Sequence, residues 1–366
     1  MARPRRDHLV AVTDLQSGQK TRFPIPQSPV SGFQSRPSDW TVYPRTVARR
    51  MARDFGITRG VDLVFASDLP YAAGLSSSTA LSIGVFFALG AANRLPEHPR
   101  FRAHLAGPAD LAEYLGCLEN GRPFGPFEAA AGVGTLGGCE DQAAILMASP
   151  GELAQFRFLP VRLERRVAFP GDYVLVIGAS GVVAEKTGAA MESYNAAART
   201  AAEIDRRWRA TGARDLSLGA ALTRSRETLP GLRERLAGEP ALRARLEQFA
   251  EETEELVPAA AAALCAGGLE AFGGLVDRSQ AGAERGLGNQ IPETIHLQRA
   301  ARRLGAVAAS AFGAGFGGSV WAMVKREPAP TFLTGWESDY LSAFPHRRDR
   351  AEFFVTRPGP AALRLS

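Results

Sequence analysis

Between residues 68 and 80 the chain reads Asp68-Leu69-Pro70-Tyr71-Ala72-Ala73-Gly74-Leu75-Ser76-Ser77-Ser78-Thr79-Ala80. A strand is expected just before this run and a helix just after it. Gly74 can take backbone angles that a Cβ forbids, so the chain can approach a ligand closely there. Ser76, Ser77 and Ser78 offer hydroxyl groups and are expected to cap the helix. The N–H groups and positive dipole end of that helix form a site for an anion such as a phosphate. A Walker loop would add a lysine; none is present here, so serines and a metal ion must carry more of the charge. A second segment, Gly137-Gly138-Cys139-Glu140-Asp141-Gln142-Ala143, puts two carboxylates at the start of a short helix. Such a carboxylate either serves the helix dipole or takes and orients a hydroxyl proton. A third, Gly313-Ala314-Gly315-Phe316-Gly317-Gly318-Ser319-Val320, has a backbone able to lie against phosphate or substrate.

Taken together, these segments resemble the GHMP kinases, in the form found in galactokinases. Pro70-x-x-x-Gly74-Leu75-Ser76-Ser77-Ser78-x-Ala80 is similar to the family's second motif and Gly313 to Ser319 to its third. Gly137 to Gln142 resembles the segment that carries the general base. The resemblance implies that Gly74, Leu75, Ser76, Ser77 and Ser78 wrap the triphosphate of ATP, with Ser77 bonded to phosphate and Ser78 on Mg²⁺. It implies Asp141 as the base beside the acceptor hydroxyl, although Glu140 stands where the family has an apolar residue. Gly313, Gly315, Gly317 and Gly318 would close the other side. Glu119-Asn120 resembles the stretch that supplies the glutamate on Mg²⁺. The chain from Glu119 to Asp141 is longer than the family's, so Glu128 rivals Glu119 for that role. Ser193-Tyr194-Asn195 with Arg199 resembles a helix whose tyrosine approaches the sugar; Tyr194 as packed core is the other reading. Trp40-x-x-Tyr43 and the Leu287 to Thr294 run are looser matches. The implied reaction is transfer of the γ-phosphoryl group of ATP to a sugar hydroxyl, the anomeric hydroxyl of galactose if the likeness holds. A kinase for another sugar, mevalonate or homoserine, a non-catalytic sugar and ATP sensor, and a nucleotide-binding scaffold are the alternatives.

Nothing at the start of the sequence matches the family's first motif, which supplies an arginine near the transferred phosphoryl group and most sugar contacts. The expectation is that roughly forty to fifty leading residues are missing, with a strand pair whose absence leaves sheet edges open. Loss of the arginine can lower the rate of phosphoryl transfer by orders of magnitude, so an impaired activity is the expectation for this sequence.

The elements that must position these residues are legible in outline. Strands are expected at His8 to Asp14 and Lys20 to Ile25 around a Gly18 turn, followed by a Pro/Ser-rich loop from Pro24 to Ser38. A helix from Val42 to Phe55 stops at Gly56. A strand at Val61 to Ala66, helices at Ser77 to Asn93 and Pro108 to Glu119, and a short helix from Glu140 to Met147 follow. Beyond a boundary near residues 160–172 come strands at Arg162 to Ala168 and Tyr173 to Gly178. Helices follow at Lys186 to Thr211, Asp215 to Leu229, Glu239 to Glu255, Pro258 to Ala266 and Pro292 to Leu304, with strands at Ala306 to Ala311 and Ser319 to Val324. Segregated strands and helices favour α+β. The resemblance implies a ribosomal protein S5 domain 2-like N-terminal domain over 1–165 and an α+β C-terminal domain over 166–366, with the active site in the cleft between them.

Composition narrows the classes further. The 366 residues, 45% hydrophobic and 22% charged, suit a soluble globular protein of two domains. Of 43 basic residues only Lys20, Lys186 and Lys325 are lysine, and the arginines form no stripe for nucleic acid. No run reaches the roughly 18 apolar residues of a membrane span, and Met1 to Val10 has no apolar core of a secretory signal. Cys117, Cys139 and Cys265 fit a reduced cytoplasm and not a disulfide framework, and the five histidines form no zinc-like cluster. A monomer or homodimer is expected, with a small sugar and ATP as partners.

Overall fold

The computed structural model describes residues 1–26, 40–70, 72–183, 189–215, 217–313 and 315–363. Among the described residues ten strands form two four-stranded sheets and a hairpin: β1 Ala2–Pro4, β2 Leu9–Asp14, β3 Lys20–Pro24, β4 Val61–Phe65, β5 Glu152–Arg157, β6 Arg162–Ala168, β7 Tyr173–Ala179, β8 Ala308–Ala311, β9 Ser319–Lys325 and β10 Glu352–Thr356.

The first sheet has the order β1-β4-β2-β3. Strands β2 and β3 alternate as their sequences require, with Val10, Val12, Thr21 and Phe23 turned inward. They meet antiparallel across the Gly18 turn. Strand β4 lies parallel to β2, which needs a crossover, and the Val42–Phe55 helix supplies it. That helix ends on Gly56, whose left-handed backbone returns its N–H to the Ala52 carbonyl. Strand β1 continues the sheet beyond β4, and the Met1 ammonium donates to the Val64 carbonyl at 2.7 Å. Against this sheet packs the Ser77–Ala92 helix, apolar nearly all round, with Ile83, Val85, Phe86 and Leu89 in the core.

The second sheet, β10-β7-β9-β8, is antiparallel throughout. Its strands are apolar on both faces. In β9, Val320, Ala322 and Val324 face the Pro292–Arg303 and Ala329–Ala343 helices around buried Trp336 and Tyr340. Trp321 and Met323 face the Val257–Cys265 and Leu269–Gly282 helices. Helices Ala189–Arg209, Leu218–Arg224, Thr228–Arg235 and Pro240–Glu251 build a satellite core on Ile204, Leu222, Leu232 and Leu246. The β5–β6 hairpin packs on both halves, Val161 against Ala112 and Ala143, Val167 against Ala261 and Phe272.

Several expectations need correction. The helix expected from Asp215 to Leu229 is two helices, because Ser217 caps a start at Leu218 and the Thr228 hydroxyl closes the break onto Ala221. The helix expected to run to Glu255 widens at Glu252 into a π turn, since Pro258 has no N–H to continue the α ladder. The Leu269–Gly282 helix, strand β5, the Ala329–Ala343 helix and strand β10 are additions. The first of these carries three glycines, which lowers helix propensity. Gly273 is required by packing, as a Cβ there would sit 2.1 Å from the Val307 carbonyl oxygen. The Pro24 to Ser38 loop and the start of the helix expected at Lys186 fall largely outside the described residues.

Candidate active site

The serine loop leaves the first sheet after β4 and turns into the Ser77–Ala92 helix. Ala72, Gly74 and Ser76 are left-handed, with φ of 48°, 69° and 59°, and the residues between them are not. Such alternation turns successive N–H groups toward one point, the backbone concavity that holds anions. Ser76 is the N-cap residue but makes no side-chain cap hydrogen bond. The expected capping by serine is therefore absent: a left-handed Ser76 cannot fold its hydroxyl over the first turn as an extended cap residue does. Ser77 is exposed and Ser76 and Ser78 half-buried, while Thr79 turns into the core.

The glycine loop comes from the far end of the chain and lands on the serine loop. The Ser319 hydroxyl, fully buried, donates to the Ala73 carbonyl at 2.7 Å. Gly318 lies flat on the same turn: a Cβ there would be 3.0 Å from the Ala73 oxygen, and φ is +81°. Gly313, Gly315, Phe316 and Gly317 are also left-handed, and the Phe316 N–H donates to Asn289 O. The loop's shape thus depends on Asn289, within the run before the Pro292–Arg303 helix.

Two helices bring carboxylates to the opposite wall. Glu119 ends the Pro108–Asn120 helix, 5% exposed, and accepts from the Gln142 side-chain amide at 2.8 Å. Gln142 follows Asp141 in the first turns of the Glu140–Met147 helix. That amide therefore links the helix end bearing Glu119 to the helix start bearing Asp141. Asp141 is half-buried and Glu140 exposed, both at the positive end of the helix dipole. Glu128 is exposed, and its carbonyl accepts from Arg53 on the outer side of the 121–132 segment.

These parts surround one cleft of about 1890 Å³. Gly74 to Ser78, Glu119, Asp141, Tyr194, Gly313, Gly315 and Gly317 all line it, as do Trp40 and Tyr43, whereas Glu128 and Gly318 do not. Gly318 contributes through its contact with the serine loop. Tyr194 is half-buried, with its hydroxyl against Gly137, where a Cβ would be 2.4 Å away. Arg199 pairs with Glu192 on an exposed face.

The residues present fit a nucleotide polyphosphate and a hard divalent cation. The turn of N–H groups, the hydroxyls and the close Gly318 wall suit phosphate oxygens. Ser78 and Glu119 are oxygen donors of the kind Mg²⁺ takes, and Mg²⁺ commonly binds through one or two carboxylates plus substrate phosphates. Among the described residues no group of three His, Cys, Asp or Glu is placed to hold a metal unaided.

Cys139, the N-cap residue before Glu140, is buried, and burial beside Glu113 pushes its thiol up to about 12 from 9.0. The folded state thus holds the proton that the unfolded chain releases first. Stability is full below pH 9 and falls between pH 9 and 12, by about 1.4 kcal/mol per pH unit for this group. Urea unfolding across that range should show the decline, and Cys139→Ala should flatten it; an equally steep decline in the variant would assign it elsewhere.

The residues that sequence reading missed are amides and arginines. Asn120 and Asn195 bond the backbone between Gly134 and Gly138, and Arg49, Arg50, Arg53 and Arg100 bond carbonyls between Arg122 and Ala131. A backbone acceptor has no signature in sequence, and the arginines were read there only as forming no stripe for nucleic acid.

Comparison with known proteins bears on the fold and the family. The family model described as the GHMP kinases N terminal domain matches residues 42–149, and that described as GHMP kinases C terminal matches residues 260–340. The galactokinase of Roseiflexus sp. (strain RS-1) is 28% identical over 336 residues, 90% of this chain and 76% of that protein. The galactokinase of Chloroflexus aggregans is 27% identical over 345 residues, 93% of this chain and 79% of that one. Among solved structures, Lactococcus lactis galactokinase complexed with galactose superposes with a TM-score of 0.78 at 22% identity, covering 100% of this chain and 86% of that one. Streptococcus pneumoniae phosphomevalonate kinase shares the fold more distantly, at a TM-score of 0.55 and 14% identity, over 97% of this chain and 89% of that one. With both halves matched and the two motif loops in contact, the chain belongs to the GHMP kinase family, on its galactokinase-like side, and is a phosphotransferase.

Proposed function

We propose that the protein transfers the γ-phosphoryl group of ATP to a sugar hydroxyl, with galactose as the acceptor and galactose 1-phosphate as the product. The observation that carries the reading is the Ser319–Ala73 hydrogen bond. It joins the serine and glycine loops into one wall, and Asp141 and Tyr194 line the same cleft. A polyphosphate seated on the Gly74–Ser78 turn would present its terminal group toward that cleft. Ser78 and Glu119 would hold Mg²⁺, which when bound neutralises charge on the phosphoryl oxygens. Asp141 would orient the acceptor hydroxyl and take its proton, and Tyr194 would pack against the sugar. Glu119 is preferred over Glu128 because it is buried and lines the cleft. The galactokinase relatives support the choice of sugar.

The test is ATP consumption with Mg²⁺ across galactose, other hexoses, mevalonate and homoserine. Turnover highest with galactose is the expected result. Turnover with another acceptor alone would move the assignment within the family. Binding of ATP and galactose with no turnover of any acceptor would replace an enzyme with a sensor.

A further inference from the structure

The segment Gly134–Gly138 runs directly into the Cys139 cap and the helix of Asp141, yet it belongs to no helix or strand. Its backbone groups are bonded instead by two asparagines from opposite sides. From the Pro108–Asn120 helix, Asn120 accepts from the Gly137 N–H, and its amide donates to Gly138 O at 3.3 Å and to Gly116 O at 2.7 Å. From the Ala189–Arg209 helix, Asn195 accepts from the Leu136 N–H at 2.8 Å and donates to Gly134 O at 3.0 Å. Asn195 is 8% exposed. Its amide reproduces the donor–acceptor pair of a strand neighbour across two residues of the segment. Its chain neighbour Tyr194 meets Gly137 through its hydroxyl, at a distance no Cβ would allow.

We propose that Asn195 is a positioning residue for the acceptor side of the site: its side-chain amide fixes the Gly134–Gly138 backbone to the tyrosine helix and so sets the spacing between Tyr194 and Asp141. The inference rests on the preceding reading that the acceptor lies beside Asp141. Three features support a positioning role. The contact joins the two halves of the molecule, so it fixes their register at the cleft. Three of the five residues from Gly134 to Gly138 are glycine, so side-chain packing alone holds the segment weakly. The serine loop is held separately, by Ser319 and Gly318, so the nucleotide side does not depend on Asn195.

The experiment compares the native protein with Asn195→Ala and Asn195→Asp. Alanine removes both hydrogen bonds. Aspartate keeps the acceptor for Leu136 N–H but sets a carboxylate oxygen against the Gly134 carbonyl. With galactose and ATP as probes, both variants should raise the KM for galactose at least tenfold and lower kcat, with the KM for ATP within twofold of native. A galactose KM and kcat within twofold of native in both variants would overturn the proposal. So would a KM for ATP rising in step with that for galactose, or loss of the fold in both variants, since each marks a merely structural residue. Amide hydrogen exchange on the same proteins separates this proposal from the assigned reaction. Native protein that turns over no acceptor ends the kinase reading, and exchange then decides here. Exchange at least tenfold faster in Asn195→Ala at Thr135–Cys139 and around Tyr194, but unchanged at Gly74–Ala80, supports the clamp; unchanged exchange at Thr135–Cys139 overturns it.

Discussion

Asp141→Ala should lower kcat for phosphoryl transfer by about 10²- to 10⁴-fold, the usual contribution of a positioned proton acceptor, while ATP binding stays within a few-fold of native. The argument is geometric. Asp141 stands in the first turn of the Glu140–Met147 helix, half-buried, on the wall of the cleft that also holds Tyr194. The proposed phosphate wall is built from other segments, the Gly74–Ser78 turn and the glycine loop, so removing the carboxylate should leave the nucleotide contacts intact. Asp141→Asn separates two roles, because the amide retains the shape and one oxygen acceptor but cannot take a proton. It should fall close to alanine if proton transfer dominates and well above it if orientation does. Glu140→Ala is the control: an exposed neighbour at the same helix end shares the dipole but should change kcat only a few-fold. Turnover by Asp141→Ala within tenfold of native, or a larger loss from Glu140→Ala, would remove Asp141 from the chemistry.

Local, contiguous signals were legible in the sequence. The Val42–Phe55 helix with its Gly56 stop, the apolar Ser77–Ala92 helix and the short helix at Glu140 stand where patterning puts them. The serine and glycine loops were legible because each sets several special residues in a row. What could not be read were contacts whose partner is a backbone atom or a residue far along the chain. Ser319 reaches Ala73 across 246 residues, and nothing in either segment alone names the other. Gly273 and Gly274 lower helix propensity, and only the Val307 carbonyl, far along the chain, shows why position 273 must be glycine. Ser76 ran the other way: its residue type favours a capping hydroxyl, but the turn needed a left-handed residue at that point and sacrificed the cap.

Asp54→Ala should destabilise the protein by about 3–5 kcal/mol, the loss expected when one partner of a buried ion pair is removed. Asp54 is 3% exposed and accepts from Arg50, from Arg53 at 3.1 Å and from the Tyr114 hydroxyl at 3.0 Å. Arg50, 2% exposed, also donates to the Arg122 carbonyl at 3.0 Å, and its remaining Nη2 nitrogen is buried with no hydrogen-bond partner among the described residues. The guanidinium already lacks full compensation, so taking away its carboxylate leaves a charge in the core that no neighbour can answer. Burial and the nearby Asp54 charge hold the Tyr114 hydroxyl well above its usual range, so it cannot supply a substitute anion near neutral pH. Asp54→Asn keeps an acceptor for Tyr114 but not the charge, and should lie between alanine and native. The triple change Arg50→Met, Asp54→Leu, Tyr114→Phe removes the three buried polar members at once, leaving only the more exposed Arg53, and should recover most of the stability. Urea unfolding of the four proteins distinguishes the cases. A loss below about 1 kcal/mol in Asp54→Ala, the range of exposed pairs, would mean that water reaches Arg50 and that the cluster is no buried ion pair. The same arginines explain why the effect should reach the cleft. Arg49, Arg50, Arg53 and Arg100 hold carbonyls from Arg122 to Ala131, and that segment returns beneath Glu119, where the Val133 N–H donates to the Glu119 carbonyl at 2.8 Å. In Asp54→Ala held well below its unfolding midpoint, the Mg²⁺ concentration needed for half-maximal turnover should therefore rise.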